Sequence, residues 1–113
     1  MIVAIIQPTK LQPVQEALAR MGVERMTVCD AQGFGRQKGQ HATYRGVECQ
    51  ARLLRKIALE IAVNDDFLER TVDTIVSVAR TGPEGNLGDG KIFVLPMDET
   101  IQIGGTERGF GAV

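Results

Sequence analysis

Tryptophan is absent from the 113 residues, and the aromatics amount to four phenylalanines and one tyrosine. A core built from this chain is aliphatic, and a small aliphatic core is often supplemented by contacts between subunits. Histidine occurs once, at His41, and cysteine twice, at Cys29 and Cys49, in no CxxC pair. That inventory excludes the four-ligand set of a structural zinc, and both cysteines are expected to be reduced thiols without a metal. Long apolar runs are missing too. No stretch approaches the roughly 20 residues that span a bilayer, and the opening MIVAIIQPTK has neither a basic leader nor an alanine-type cleavage site. A cytoplasmic protein without direct membrane insertion is expected. Nor is there an excess of one charge: the formal net charge of −1 argues against wholesale nucleic-acid binding.

What is present fits one domain. A chain of 113 residues with 43% apolar and 24% charged side chains has the size and balance of a single compact core. The charge is unevenly spread. Between 36 and 56 stand Arg36, Lys38, Arg45, Arg52, Arg55 and Lys56 against one acid, Glu48, so a positive potential is concentrated there.

The hydrophobic pattern alternates between two periods. IVAII, residues 2 to 6, is a short β-branched run closed by Pro8 and reads as a buried strand. From Pro13 onward Val14, Ala17, Leu18 and Met21 recur at helical spacing until Gly22, a natural stop. RMTVCDAQ (25 to 32) and KIALEIAV (56 to 63) alternate as strands with one deep face. A second helix starts near Asn64, with Asp66 and Glu69 at capping-box spacing and a buried stripe of Leu68, Val72, Ile75, Val76 and Ala79, and ends near Thr81 and Gly82. After the glycine-rich TGPEGNLGDG comes a last strand, KIFVLP, and then a weakly patterned tail. The order is βαβ, a long excursion, βαβ. Two such halves are the α+β ferredoxin-like arrangement, an antiparallel four-stranded sheet with both helices on one face.

The excursion between the second and third strands is far longer than a usual hairpin and collects cations beside glycines, which marks it as functional. GNLGDGK (85 to 91) satisfies GxxxxGK, but Ile92 stands where a phosphate loop places its magnesium-binding Ser or Thr, and the flanking helix and strand are in inverted order. A mononucleotide hydrolase is thereby rejected. GFGRQKG is likewise not GxGxxG. The materials of an anion nest remain: Gly88, Gly90 and Lys91 in one loop, and Arg36 among glycines in the other.

Taken together, GFGRQKG, YRGVE and GDGKIFV, in this order and spacing, resemble the PII signal-transduction proteins of nitrogen metabolism, and the similarity runs along nearly the whole chain. The resemblance implies a homotrimer that binds ATP or ADP in clefts between subunits and senses 2-oxoglutarate. It also implies a long loop, the T-loop, over about 36–55 that docks on a regulated target such as an ammonium transporter, a nitrogen-assimilation enzyme or a regulator. By the same resemblance the nucleotide site takes Gly35, Arg36, Gln37, Gly88, Asp89, Gly90 and Lys91, with Met26, Thr27 and Glu60 from a neighbouring subunit. Gln37 would complete a Mg2+ ion bound to ATP and 2-oxoglutarate, and Lys38, Gly39, Lys56 and Gly88 would complete the site for that acid. Tyr44, Arg45 and Cys49 would lie in the partner-binding loop. The second glycine loop (about 81–91) is longer than the family's by Pro83, Glu84 and Gly85, and in the tail (about 102–113) Gln102 and Gly104 stand in place of two phosphate-binding arginines. Cys49 stands where many members carry a nucleotidylated tyrosine.

Two other classes compete with a regulatory, non-enzymatic binding protein. A small nucleotide- or phosphate-binding ferredoxin-like enzyme needs a nucleophile or a positioned base, whereas His41 is alone and no paired acids converge. A nucleic-acid binder needs aromatics on the sheet, and Met26, Val28, Leu59 and Ile61 supply none.

Overall fold

The computed structural model describes residues 1–35, 43–44, 47–48 and 52–113. Its elements are strand β1 (Ile2–Ile6), helix α1 (Leu11–Arg20), β2 (Thr27–Gly35), the two-residue strands β3 (Thr43–Tyr44) and β4 (Val47–Glu48), β5 (Arg52–Ile61), helix α2 (Asp65–Ala79) and β6 (Gly90–Val94). Three short 3-10 turns, at Pro8–Lys10, Leu87–Asp89 and Gly109–Ala112, join or follow them. The main sheet has the order β2-β5-β1-β6 and every pairing in it is antiparallel. With β3 and β4 paired on their own in the excursion, this is the ferredoxin-like α+β fold expected from the periodicity.

Alternation along the strands sends one set of residues to each face. Ile2, Ala4 and Ile6 of β1 and Ile57, Leu59 and Ile61 of β5 are buried with Val14 and Leu18 of α1 and Ile75 and Ala79 of α2, so both helices cover the same face. Each fully buried Leu or Ile contributes on the order of 2 kcal/mol of transfer free energy. The opposite face carries Val3 and Ile5, Ala58 and Glu60, Thr27 and Cys29, and Lys91 and Phe93, matched row by row by the strand register. No element of the chain covers it among the described residues; Phe93 alone is 49% exposed.

Helix α1 ends as its sequence dictates. Gly22, at φ 91°, lets the Val23 N–H reach the Leu18 carbonyl at 2.9 Å and the Gly22 N–H reach Ala19 at 3.0 Å. This is a Schellman cap, sealed by the apolar pair Leu18 and Val23, both in the core.

The structure corrects several local expectations. In α2 the most buried positions are Thr71, Ile75 and Ala79, while Leu68 and Val72 are only half-buried and Val76 is 36% exposed. The stripe turns toward Thr71 because its hydroxyl is satisfied by the Phe67 carbonyl at 2.7 Å, which removes the penalty of burying it. The capping pattern at Asp66 and Glu69 is not used. Asn64 stands at the N-cap with no side-chain bond to the helix, and its amide donates to the Phe110 carbonyl at 3.3 Å. Finally, β2 and β5 run further than their alternation suggests. The loop expected over about 36–55 gives up 52–55 to a ladder whose last rung pairs Gly35 with Arg52, because the two strands continue as a ribbon beyond the end of β1.

Candidate functional site

The polar residues of the uncovered face gather at its two ends. At one end the register sets Thr27 beside Glu60, both exposed, with Met26 next in line and half-buried against the core. At the other end Gly90 pairs with Ile6 and Lys91 with Ile5, while Lys56 lies one residue beyond the last β1 rung. The two ends are separated by the four strand steps from Lys56 to Glu60, about 13 Å. Met26, Thr27 and Glu60 are therefore not brought to the glycine loop within one chain.

Lys56 and the glycine loop meet directly. The Lys56 ammonium donates to the Gly88 carbonyl at 2.5 Å, and both Lys56 Nζ and Gln7 Nε2 lie within van der Waals reach of the Gly88 α-carbon's open side. Lys56, the backbone of Gly88 and the amide of Gln7 thus form a notch at the start of β6, and the strand register puts exposed Lys91 on the same sheet face. Alternation could not show Gln7 there. The only signal in the sequence was its position directly after the first strand.

Gly90 is required by geometry. Its φ is 119°, and a Cβ on it would fall on the Ile5 carbonyl of the adjacent strand. The chain must pass this close for β6 to enter the sheet immediately after the loop, and only glycine permits it.

Asp89 has a different role from its neighbours. One carboxylate oxygen accepts the Thr81 hydroxyl at 2.6 Å and the Gln7 amide at 3.4 Å, and the other accepts the backbone N–H groups of Thr81 and Asn86, each at 2.8 Å. The Thr81 hydroxyl above all, then its backbone N–H, followed by Asn86 and Gln7, stabilises the anion and lowers the carboxyl from 3.8 to about 2, against a smaller desolvation effect that raises it.

Gly35 ends β2 opposite Arg52, four rungs past the one that pairs Ala31 with Lys56, or about 13 Å along the ribbon. Arg36, Gln37, Lys38, Gly39, Arg45 and Cys49 lie outside the described residues, and Tyr44 is described only as part of β3. In the tail, Gln102 donates from its side chain to the Ala112 carbonyl at 3.5 Å and from its backbone to the Glu107 carbonyl at 3.2 Å. Arg108, the one cation of the tail, forms a two-pronged pair with Glu99, 2.8 Å on each prong. The tail is tied to the start of α2, at the Glu60 end of the sheet, by the bond from Asn64 to Phe110.

The fold and site define a ferredoxin-like binding module with an uncovered sheet face, a basic glycine-loop notch at one end and a long inter-strand excursion. Residues 1–107 match the family described as nitrogen regulatory protein P-II. The chain is 46% identical to a nitrogen regulatory protein P-II of Bradyrhizobium diazoefficiens over 112 residues, covering 99% of this chain and 97% of that one. It is 45% identical to the nitrogen regulatory protein GlnK1 of Methanosarcina mazei, covering 99% and 95%. A solved structure of Arabidopsis thaliana PII bound to citrate superposes with a TM-score of 0.78 at 36% identity, covering 99% of this chain and 89% of that one. The chain belongs to the nitrogen regulatory protein P-II family and is a signal-transduction regulator of nitrogen metabolism. Its relatives carry the names of regulatory proteins rather than enzymes. No helix among the described residues is long and apolar enough to cross a membrane.

Proposed function

We propose that this protein is a cytoplasmic sensor of energy and nitrogen status. It binds ATP or ADP competitively at the Gly88–Lys91 notch, takes up 2-oxoglutarate together with Mg2+ when ATP is present, and passes the result through its long loop to a target protein. The target classes are an ammonium transporter, a nitrogen-assimilation enzyme or a regulator. The observation that carries this reading is the contact of Lys56 with Gly88, with exposed Lys91 on the same sheet face: cations beside a glycine-rich backbone suit a phosphate or a carboxylate.

The separation of Thr27 and Glu60 from that notch supports an assembly. A residue set split between opposite ends of one face is completed when the Glu60 end of one copy meets the glycine-loop end of the next. That head-to-tail contact closes into a ring, here a homotrimer with the uncovered sheet faces turned inward. The apolar rows Val3, Ile5, Ala58 and Phe93 supply the surface to be buried.

Calorimetry with ATP, ADP and 2-oxoglutarate, alone and in combination, tests the reading, with sedimentation to measure the mass. Competition between the two nucleotides, 2-oxoglutarate binding only in the presence of MgATP, and a trimer mass are expected. Equal 2-oxoglutarate affinity with and without nucleotide contradicts the shared-metal coupling, since two ligands completing one ion must help each other reciprocally.

A further inference from the structure

The carboxylate of Asp89 lies in the same loop as the notch and accepts four hydrogen bonds, from Gln7, Thr81 and Asn86. Thr81 and Asn86, five residues apart, both direct their N–H groups at one oxygen, so residues 81 to 89 form a ring closed by a single side chain. Pro83 and Glu84 are exposed on the crest of that ring, between the two clamped amides. The other oxygen reaches Gln7, 82 residues away in sequence, and so ties the ring to the end of β1. Immediately before Asp89 stands Gly88, whose carbonyl rests on Lys56, and immediately after it stands Gly90, wedged against Ile5. The backbone on either side of Asp89 is therefore the backbone of the notch.

We propose that Asp89 is a positioning residue for anion binding: it touches no ligand itself, but closes the 81–89 ring and thereby fixes the Gly88 carbonyl on Lys56 and the path by which Lys91 enters β6. This rests on the reading of the notch as a nucleotide site. The chemistry favours it over direct contact. A carboxylate facing a polyphosphate repels it, and the four donors around Asp89 already occupy both oxygens. Replacing Asp89 by Asn leaves one oxygen and places an NH2 group against at least one of the N–H donors it must face, so the ring loosens although a negative charge near the ligand is gone.

The sign of the change separates the two roles. In calorimetry with MgATP, Asp89→Asn is expected to bind about tenfold more weakly than the wild type, and Thr81→Ala about threefold more weakly. The double variant should be no weaker than Asp89→Asn by more than about twofold, since both act through one contact. Glu84→Ala, on the crest, should bind as the wild type does. Unchanged or tighter binding by Asp89→Asn overturns the proposal, as does full additivity of the two losses. If Asp89→Asn does not fold, Thr81→Ala alone decides, and unchanged affinity in it has the same adverse meaning. Amide hydrogen exchange at Thr81 and Asn86 provides an arm without ligand: faster exchange at both in Asp89→Asn, with the β1 and β5 amides unaffected, is expected, and unchanged protection contradicts the ring. Absence of MgATP binding by the wild type would sink the nucleotide reading instead, and the exchange arm would still report on the ring.

Discussion

The second glycine loop and the C-terminal tail are both irregular segments tied back on themselves, but by different physics. In the loop one carboxylate accepts four neutral donors, three of them from residues 81 and 86. In the tail the Arg108 guanidinium grips Glu99, and the pair is open to water, with side-chain exposures of 61% and 40%. Neutral N–H donors around an anion are directional and little affected by salt, whereas an exposed ion pair is screened and contributes roughly 0–1 kcal/mol. The loop is therefore built to hold a shape and the tail only to be retained. The difference matches their surroundings: the loop borders the notch at one end of the sheet, and the tail is tied to the start of α2 at the other.

The contrast is broken most severely at Gly90. Gly90→Ala sets a Cβ onto the Ile5 carbonyl at a φ that L residues rarely adopt, and a loss of about 3 kcal/mol in urea unfolding is expected. A loss under about 1 kcal/mol would mean that β6 can shift away from β1 and that the loop is less rigidly seated than its contacts indicate. Next in size, Lys91→Ala should weaken ATP binding by about 1.5 kcal/mol, roughly tenfold, through loss of a charge-assisted contact, with little change in unfolding. Equal affinity in calorimetry would move the site away from this end of the sheet.

Acid distinguishes the two clamps. The folded Asp89 titrates at about 2 against an ordinary 3.8, so the anion is favoured by folding. Its contribution is complete above about pH 5, declines as pH falls from there through the folded value of about 2, and is gone only below that, where both states are protonated. Exchange protection at the Thr81 and Asn86 amides should fall across that window. Protection that is flat over the same range would show that Asp89 does not hold them. The smallest effect belongs to the tail: Arg108→Ala should cost about 0.5 kcal/mol at low salt and less at 1 M salt. ATP affinity should not change, because Glu99 already occupies the guanidinium. A marked drop in ATP affinity would show that Arg108 leaves Glu99 for the phosphates of a neighbouring subunit and takes over from the arginines replaced by Gln102 and Gly104.

The parts legible in the sequence share a local cause. Ile2, Ala4 and Ile6 against Ile57, Leu59 and Ile61 could be read as two half-buried strands because period two is written into consecutive residues. Gly22 could be read as a helix stop because the backbone conformation it adopts is its own. Where a side-chain hydrogen bond rather than periodicity decided a residue's place, the reading failed. Asn64 leaves α2 to bond Phe110, and Thr71 replaces Leu68 and Val76 in the buried stripe once its hydroxyl finds a carbonyl. At the candidate site, Gly88, Gly90 and Lys91 stand in the string GDGKIFV, and Lys56 is named only through the family resemblance. The part of Gln7 could not be read, since its contact with Asp89 joins the first strand to the entrance of the last.

By itself the sequence determined the order of strands and helices, the aliphatic core, and the family to which the chain belongs, because periodicity, composition and motif spacing are properties of neighbouring residues. Only the tertiary structure decided that Thr27 and Glu60 lie at the opposite end of the sheet from Lys56 and Lys91, and that the carboxylate of Asp89 turns inward to its own loop. Those outcomes depend on strand register and on donors that chain folding brings within 3 Å or so of one another.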